Sequence, residues 1–495
     1  MNAGTRFIAV HTKSLTVLTL GAVALADWLF YRHPVGWTLG LFAWALLLLT
    51  VLRGPRALRS GPAWVLLILL HGLVLALIDQ PGTLNVLLTV AGLGAVALCA
   101  RWGWKPDARV WLGRGILFFG IGWTQVLRDL ATARRWRNRG TPAKRGSVLG
   151  RWLLPVTLSL VFVLLFAAAN PIISSWLKQA LDAFDMFQLR AARVVLWLVV
   201  FVWCWALCRF RPVKTMTTSR ARATAAGQVH SPGVLSTEMV IRCLVLFNLV
   251  FAVQNGLDIR YLWGGAALPA GMTYAQYAHR GAYPLVATAL LAAAFMLITF
   301  GPGGAAEKSR TARAWVYAWV AQNVFLTLAA AWRLHLYIEV YSLTKLRLAA
   351  CVWMLLVALG LAWICLRIIL KRPNLWLLHA NVLTLFVVLY AAAFVDWAGF
   401  IARYNARHCW EMTGSGANLD LRYMRQLGPA SLPALVWLAQ QPLAPDRVDP
   451  DWPGNLRELE CDLREELDAP LRDWRGWTLH RQRLRDRIGP APELP

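Results

Sequence analysis

The chain has 495 residues, 58% of them hydrophobic and only 15% charged, which is more apolar and less charged than a soluble domain. Its net charge of +26 would suit nucleic acid, but the basic residues lie in short loops between apolar runs, so nucleic acid is excluded and a lipid bilayer is the expected partner. The 27 tryptophans agree, because Trp favours the membrane–water boundary.

A spanning helix needs about 20 mainly apolar residues. Eleven runs qualify: 14–31, 35–52, 62–79, 83–100, 151–169, 193–210, 239–257, 284–301, 314–332, 347–370 and 376–396. The period-2 alternation of a membrane barrel is absent. The predicted fold is therefore all-α, with eleven transmembrane helices in residues 1–400 and a small soluble helical tail in 401–495. The first run carries Arg6 and Lys13 ahead of it and an Ala24-Leu25-Ala26 segment that resembles a signal-cleavage site. Hydrophobicity continues through Trp28 and Phe30, which favours a retained span over a cleaved signal.

The loops set a direction. Arg53, Arg56 and Arg59 follow the second run, and eight basic residues from Arg128 to Arg151 fall between the fourth and fifth. Arg209 to Arg222, Lys308 to Arg313, and Lys371 with Arg372 mark every second loop after that. These are the loops that a cytoplasmic N-terminus places inside. The expected location is the inner membrane of a bacterium, with the tail extracytoplasmic. Residues 111–130 are apolar but hold Arg114 and Arg128, and read as an amphipathic helix on the inner surface. Residues 173–192 read as a similar interfacial helix outside. Cys204 and Cys208, spaced i,i+4, read as small packing residues.

The tail holds 13 Lys+Arg and 14 Asp+Glu in 402–495, so the positive charge belongs to the membrane part. Short helices are expected at 419–427, 432–439, 456–467 and 473–487. Leu456, Leu459, Leu463 and Leu467 make one apolar stripe. Cys409 and Cys461 are a candidate disulfide pair, the alternative being two unpaired thiols.

No catalytic signature is present: no Walker loop, His-Glu-x-x-His, Gly-x-Ser-x-Gly or Cys-x-x-Cys. No metal or cofactor is implied. Polarity concentrates instead on the expected outer face, in two segments. The first holds Tyr274, Tyr277, His279, Arg280 and Tyr283. The second holds Arg333, Tyr337, Glu339, Tyr341 and Arg347, with Arg333, Tyr337, Tyr341 and Thr344 on one helical face and His335 paired with Glu339. Arginine forks among tyrosine hydroxyls suit a phosphate or carboxylate head group, and His or Glu suits proton transfer. The competing reading is anchoring of helix ends at the interface. Asp27 and Asp396 lie near the outer ends of their spans, and His71 inside a span reads as a helix–helix hydrogen-bonding group.

The stretch Leu268-Pro-Ala-Gly-Met-Thr-Tyr-Ala-Gln-Tyr-Ala-His-Arg-Gly-Ala-Tyr-Pro-Leu285 resembles a signature of bacterial membrane proteins grouped as the domain of unknown function 4173. The segment Tyr337 to Arg347 with Trp353-Met354 is similar to that family's second signature, and the likeness runs from about residue 150 into the tail. It implies a multi-pass membrane architecture and no activity. Three functions compete. The first is an envelope scaffold or sensor whose tail binds an envelope protein. The second is an enzyme acting on a lipid-linked or anionic substrate at the outer face. The third is a transporter, for which the internal repeat is missing. Whether the chain is an enzyme stays open at this point.

Overall fold

The computed structural model describes residues 3–53, 60–137, 185–210, 237–264, 309–442 and 450–489, with the positions 159, 170, 172, 175 and 176. Every element among the described residues is helical. The chain divides into two compact units, Met1–Lys214 and Thr215–Pro495.

The first unit holds α1 (Ala3–Phe30), α2 (Thr38–Arg53), α3 (Gly61–Asp79), α4 (Thr83–Trp102), α5 (Ala108–Ile121), α6 (Gln125–Arg137) and α7 (Asp185–Arg209). Leu15, Val23 and Ala26 of α1 share a core with Val200, Cys204, Trp205 and Cys208 of α7, so the two cysteines do serve as packing residues. Asp27 near the end of α1 meets Arg193 near the start of α7, accepting at 2.8 and 2.6 Å, and Trp197 Nε1 donates to the same carboxylate at 2.9 Å. This bidentate, charge-assisted contact fixes α1 antiparallel to α7. Helices α2, α3 and α4 pack around Leu70, Val74, Leu77, Leu93 and Val96. Trp44 Nε1 donates to His71 Nδ1 at 3.2 Å, the helix–helix bond expected of His71.

Helices α5 and α6 are joined by a 3-10 turn at Gly122–Thr124. Asp107 caps α5 by accepting from the backbone N–H of Arg109. Near one end, the Arg114 guanidinium stands 5.0 Å over the Trp102 ring, at the end of α4. Near the other, Asp129 pairs with Arg209 at 3.2 Å and accepts from Trp205 Nε1 at 3.0 Å, at the end of α7. Arg101 Nη1 donates to the Cys208 carbonyl at 3.4 Å, so α4 and α7 end at one level. Arg114 and Asp129, one on α5 and one on α6, thus both meet residues near the C-terminal ends of α4 and α7. Phe118, between them, is buried against Phe210 and Trp203. Gly94 makes room for it, since a Cβ there would meet the Phe118 ring at 3.1 Å.

The second unit begins with α8 (Thr237–Asp258), continued by a π-helical turn at Ile259–Trp263. Then come α9 (Arg310–Tyr341), α10 (Lys345–Ile369) and α11 (Asn374–Ala392). Asn248 Nδ2 donates to the Trp315 carbonyl at 3.1 Å, Asn255 Nδ2 to the Gln322 carbonyl at 3.3 Å, and Arg333 pairs with Asp258. Contacts advance together along both helices, so α8 and α9 run parallel. Trp263 and Arg310 therefore lie at opposite ends of the pair. Helices α10 and α11 form a hairpin, tied by Trp363 Nε1 to Thr384 Oγ1 at 2.9 Å.

The C-terminal helices are α12 (Trp397–His408), α13 (Trp410–Thr413), α14 (Leu421–Leu427), α15 (Leu432–Ala439), α16 (Trp452–Asp468) and α17 (Leu479–Ile488). Asp396, Asp420 and Thr478 cap α12, α14 and α17 by accepting backbone N–H groups. The core holds Ile401, Leu432, Leu435, Leu438, Met424 and the stripe Leu456, Leu459, Leu463 and Leu467. It also holds Ile338 and Leu343, from the end of α9 and the α9–α10 turn. These helices are thus built around that turn.

Eight helices among the described residues are long and apolar enough to cross a membrane: Gly61–Asp79, Thr83–Trp102, Ala108–Thr132, Ala191–Arg209, Glu238–Trp263, Arg310–Tyr341, Lys345–Arg367 and Asn374–Ala392. Leu15–Phe30 and Thr38–Leu52 are shorter apolar helices. Nine of the eleven expected runs coincide with described helices, and 151–169 (apart from Ser159) and 284–301 lie outside the described residues. The stretch read as a surface helix at 111–130 also meets the length and composition of a span. One expectation changes: residues 185–192 of the helix expected at 173–192 belong to α7, which starts at Asp185 and runs unbroken, and the remainder lies outside the described residues apart from 175 and 176. Helix α11 ends at Ala392, and Asp396 caps α12, which starts at Trp397.

Candidate functional site

Tyr274, Tyr277, His279, Arg280 and Tyr283 lie outside the described residues. The five partners on the second segment fall into three groups. Arg333 is buried at 4% exposure and pairs with Asp258, which is fully buried. Helical side chains lean toward the N-terminus, which takes Arg333 back along α9 to Asp258 and away from the tyrosines. Tyr337 and Tyr341 stack with ring centroids 4.8 Å apart. The Arg347 guanidinium stands 4.4 Å over Tyr337, and its Nη1 donates to the carbonyls of Tyr341 and Ser342. Those carbonyls close α9, so Arg347 acts as a C-terminal cap. Glu339 belongs to the third group, 3.2 Å from His335 Nε2, with both side chains about half exposed.

The expected face Arg333–Tyr337–Tyr341–Thr344 is therefore broken twice. Arg333 is taken by Asp258, and α9 ends at Tyr341, before Thr344. Thr344 Oγ1 instead accepts from the Arg347 backbone N–H at 3.3 Å. Ser342 makes the turn with φ 67° and ψ 170°, a region that favours glycine. Asn405 holds the next residue on both sides: its Oδ1 accepts from Leu343 N–H at 2.8 Å and its Nδ2 donates to Leu343 C=O at 3.0 Å. Tyr423 Oη accepts from Lys345 N–H at 2.8 Å. Gly416, at φ 85°, lets the chain approach the Glu339 carbonyl, which a Cβ would meet at 3.2 Å.

The polar seam between α8 and α9 escaped the reading of the sequence. Leu244, Asn248, Phe251, Asn255 and Asp258 repeat at alternating spacings of four and three. So do Ala312, Val316, Trp319, Asn323, Leu326, Ala330 and Arg333. This is the spacing of a parallel coiled-coil seam. Asn248, Asn255, Asp258, Asn323 and Arg333 on it are all buried. Gln322 Nε2 donates to Asn248 Oδ1 at 2.7 Å, and Gln254 Nε2 to Asp258 Oδ1 at 3.1 Å. Polar groups at such positions fix register between helices.

At the α9–α10 turn, Tyr404 stacks on His408 at 4.2 Å. Burial raises the Tyr404 hydroxyl above its ordinary pKa, and the negative charge of Glu339 adds to it. Cys409 is buried and its thiol donates to the Ala406 carbonyl at 3.3 Å. Burial, chiefly, pushes that thiol up to about 11. Cys461 is exposed, and the two are free thiols. Among the described residues no group of three or more His, Cys, Asp or Glu side chains is set to hold a metal ion. Asp27 and Asp396, at the ends of their helices, are engaged by Arg193 and by the cap of α12.

Residues 63–438 match the family described as a domain of unknown function, DUF4153. The match corrects the resemblance drawn from the signatures in two ways: the family is numbered 4153, not 4173, and the likeness starts at residue 63, not near 150. No curated protein and no solved structure matches the chain.

Proposed function

The chain belongs to the DUF4153 family, whose activity is unassigned, and from that premise we propose that it is an envelope scaffold or sensor of the bacterial inner membrane. In this reading eleven helices span, the N-terminus is cytoplasmic, and the C-terminal helices form an extracytoplasmic interaction module.

Several features support the direction. Parallel α8 and α9 need one return crossing between them, which the apolar run 284–301 supplies. Asp129 of α6 lies at the level of Arg209, while α7 starts at the opposite end, beside Asp27. One crossing must intervene there as well, and 151–169 supplies it. Arg114 and Asp129 both meet residues near the C-terminal ends of α4 and α7, which supports an in-plane helix that adds no crossing. The basic loops then all fall inside. The packing of Leu15, Val23 and Ala26 on α7 supports a retained first span.

The observation that carries the scaffold reading is the fate of the described polar residues. Arg333 is bound to Asp258, Arg347 caps α9, and Asn405 and Tyr423 clasp the turn that follows. Of these, Asn405 and Tyr423 brace the C-terminal helices against the α9–α10 turn. The exposed Trp410 and Trp474 of that module suit protein contacts. Photo-crosslinking from position 410 or 474 of the full chain in native membranes tests this. A discrete protein adduct, lost when the site is moved to a lipid-facing position such as Leu383, is expected. Adducts to lipid alone would refute the module's role.

A second reading keeps the enzyme alternative, because His335, Glu339 and Tyr404 adjoin one another at the outer end with a raised tyrosine pKa. An acid–base pair there would serve a lipid-linked or anionic substrate. Loss of the cellular phenotype of the wild type in Glu339→Gln, with unchanged expression and thermal midpoint, would favour this reading over the scaffold.

A further inference from the structure

Arg114 sits on the in-plane stretch α5–α6, against the ring of Trp102. Its Nη1 is buried and has no hydrogen-bond partner among the described residues. A guanidinium nitrogen taken out of water without a hydrogen-bond partner is costly. The sequence offers it none nearby. Between residues 80 and 181 the only acids are Asp107 and Asp129. Asp107 caps α5, and Asp129 is held by Arg209 and Trp205. Over 101–151 there are 12 Lys and Arg, and Arg101 precedes Trp102 in the last turn of α4.

We propose that Arg114, with Trp102 beneath it, binds the phosphate of an anionic phospholipid at the inner surface. The planar fork matches a phosphate with two parallel N–H donors. Trp102 supplies the aromatic floor usual at a bilayer boundary. A basic pocket between membrane helices on the cytoplasmic side is suited to an anionic head group. The inner-surface placement rests on the topology proposed above, whereas the binding itself does not.

Native mass spectrometry of the full chain in micelles, offered dioleoylphosphatidylglycerol or dioleoylphosphatidylcholine, tests the site. The wild type is expected to retain the anionic lipid about tenfold better than the zwitterionic one. Arg114→Gln should lose that preference, while Arg109→Gln, exposed on the same helix, should keep most of it. Equal retention of the two lipids, or an unchanged preference in Arg114→Gln, would overturn the proposal. Millimolar inorganic phosphate that displaces the lipid would overturn its assignment to a lipid head group. If Arg114→Gln does not fold, Arg114→Lys keeps the charge and loses the fork; a severalfold weaker preference is expected, and none would overturn it. Micelles have no inner side, so a wrong topology leaves this result intact and shows only in labelling across the membrane.

Discussion

Asp258 and Arg333 form a buried ion pair that joins the end of α8 to α9. The pair closes a seam of Asn248, Asn255, Gln322 and Asn323. Removing one partner strands the other charge, so Asp258→Asn or Arg333→Met should each destabilise the protein by about 3–5 kcal/mol. The double substitution Asp258→Leu with Arg333→Met should recover most of that loss. Unfolding midpoints of the purified chain, compared as a double-mutant cycle, check it.

Asn405 satisfies both backbone groups of Leu343. Asn405→Ala leaves a buried donor and a buried acceptor open, at about 1–3 kcal/mol each. Because the loss is local, the effect should concentrate in the C-terminal helices. Hydrogen exchange should accelerate at Leu343 and along α12, with α2–α4 unchanged.

Ser342 has φ 67°, and a non-glycine residue in that region stores about 1–3 kcal/mol. Ser342→Gly relieves the strain but adds freedom to the unfolded chain, about 0.5–1 kcal/mol. A net gain of about 1 kcal/mol is expected in the unfolding midpoint. Ser342→Val should lower it.

Cys409 gives a pH dependence. Its folded-state pKa is about 11, whereas an unfolded thiol ionises near ~8.5. The folded state therefore holds the proton more tightly. That contribution is fully present below about pH 8 and is lost as pH rises toward 11. Wild-type stability should fall across this window more steeply than that of Cys409→Ser, measured by denaturation at fixed pH values.

The spans were legible because apolar runs of bilayer length have few other uses. The apolar stripe from Leu456 to Leu467 was legible for a related reason, since it lies on an otherwise polar helix. The seam of α8 and α9 was not, because a helix facing lipid is apolar all round and its packing face does not stand out. A 4–3 count of the polar residues alone, Asn248, Asn255 and Asp258, would have found it. Arg333 and Arg347 read as ligand-binding groups because sequence shows a residue's type and not its partner. Arg333's partner is 75 positions away, and Arg347's are carbonyls that exist only once α9 ends. The start of α12 was hidden because Phe394 and Val395 extend the apolar run up to its cap, Asp396.

The placement of the C-terminal helices outside the cytoplasm, on which the scaffold reading depends, has a native reporter. Cys461 is exposed on α16, and Cys409 in the same core is buried. A membrane-impermeant maleimide applied to intact spheroplasts should label the chain, and Cys461→Ser should abolish that label. Labelling at Cys461 that appears only after the membrane is opened would contradict the account.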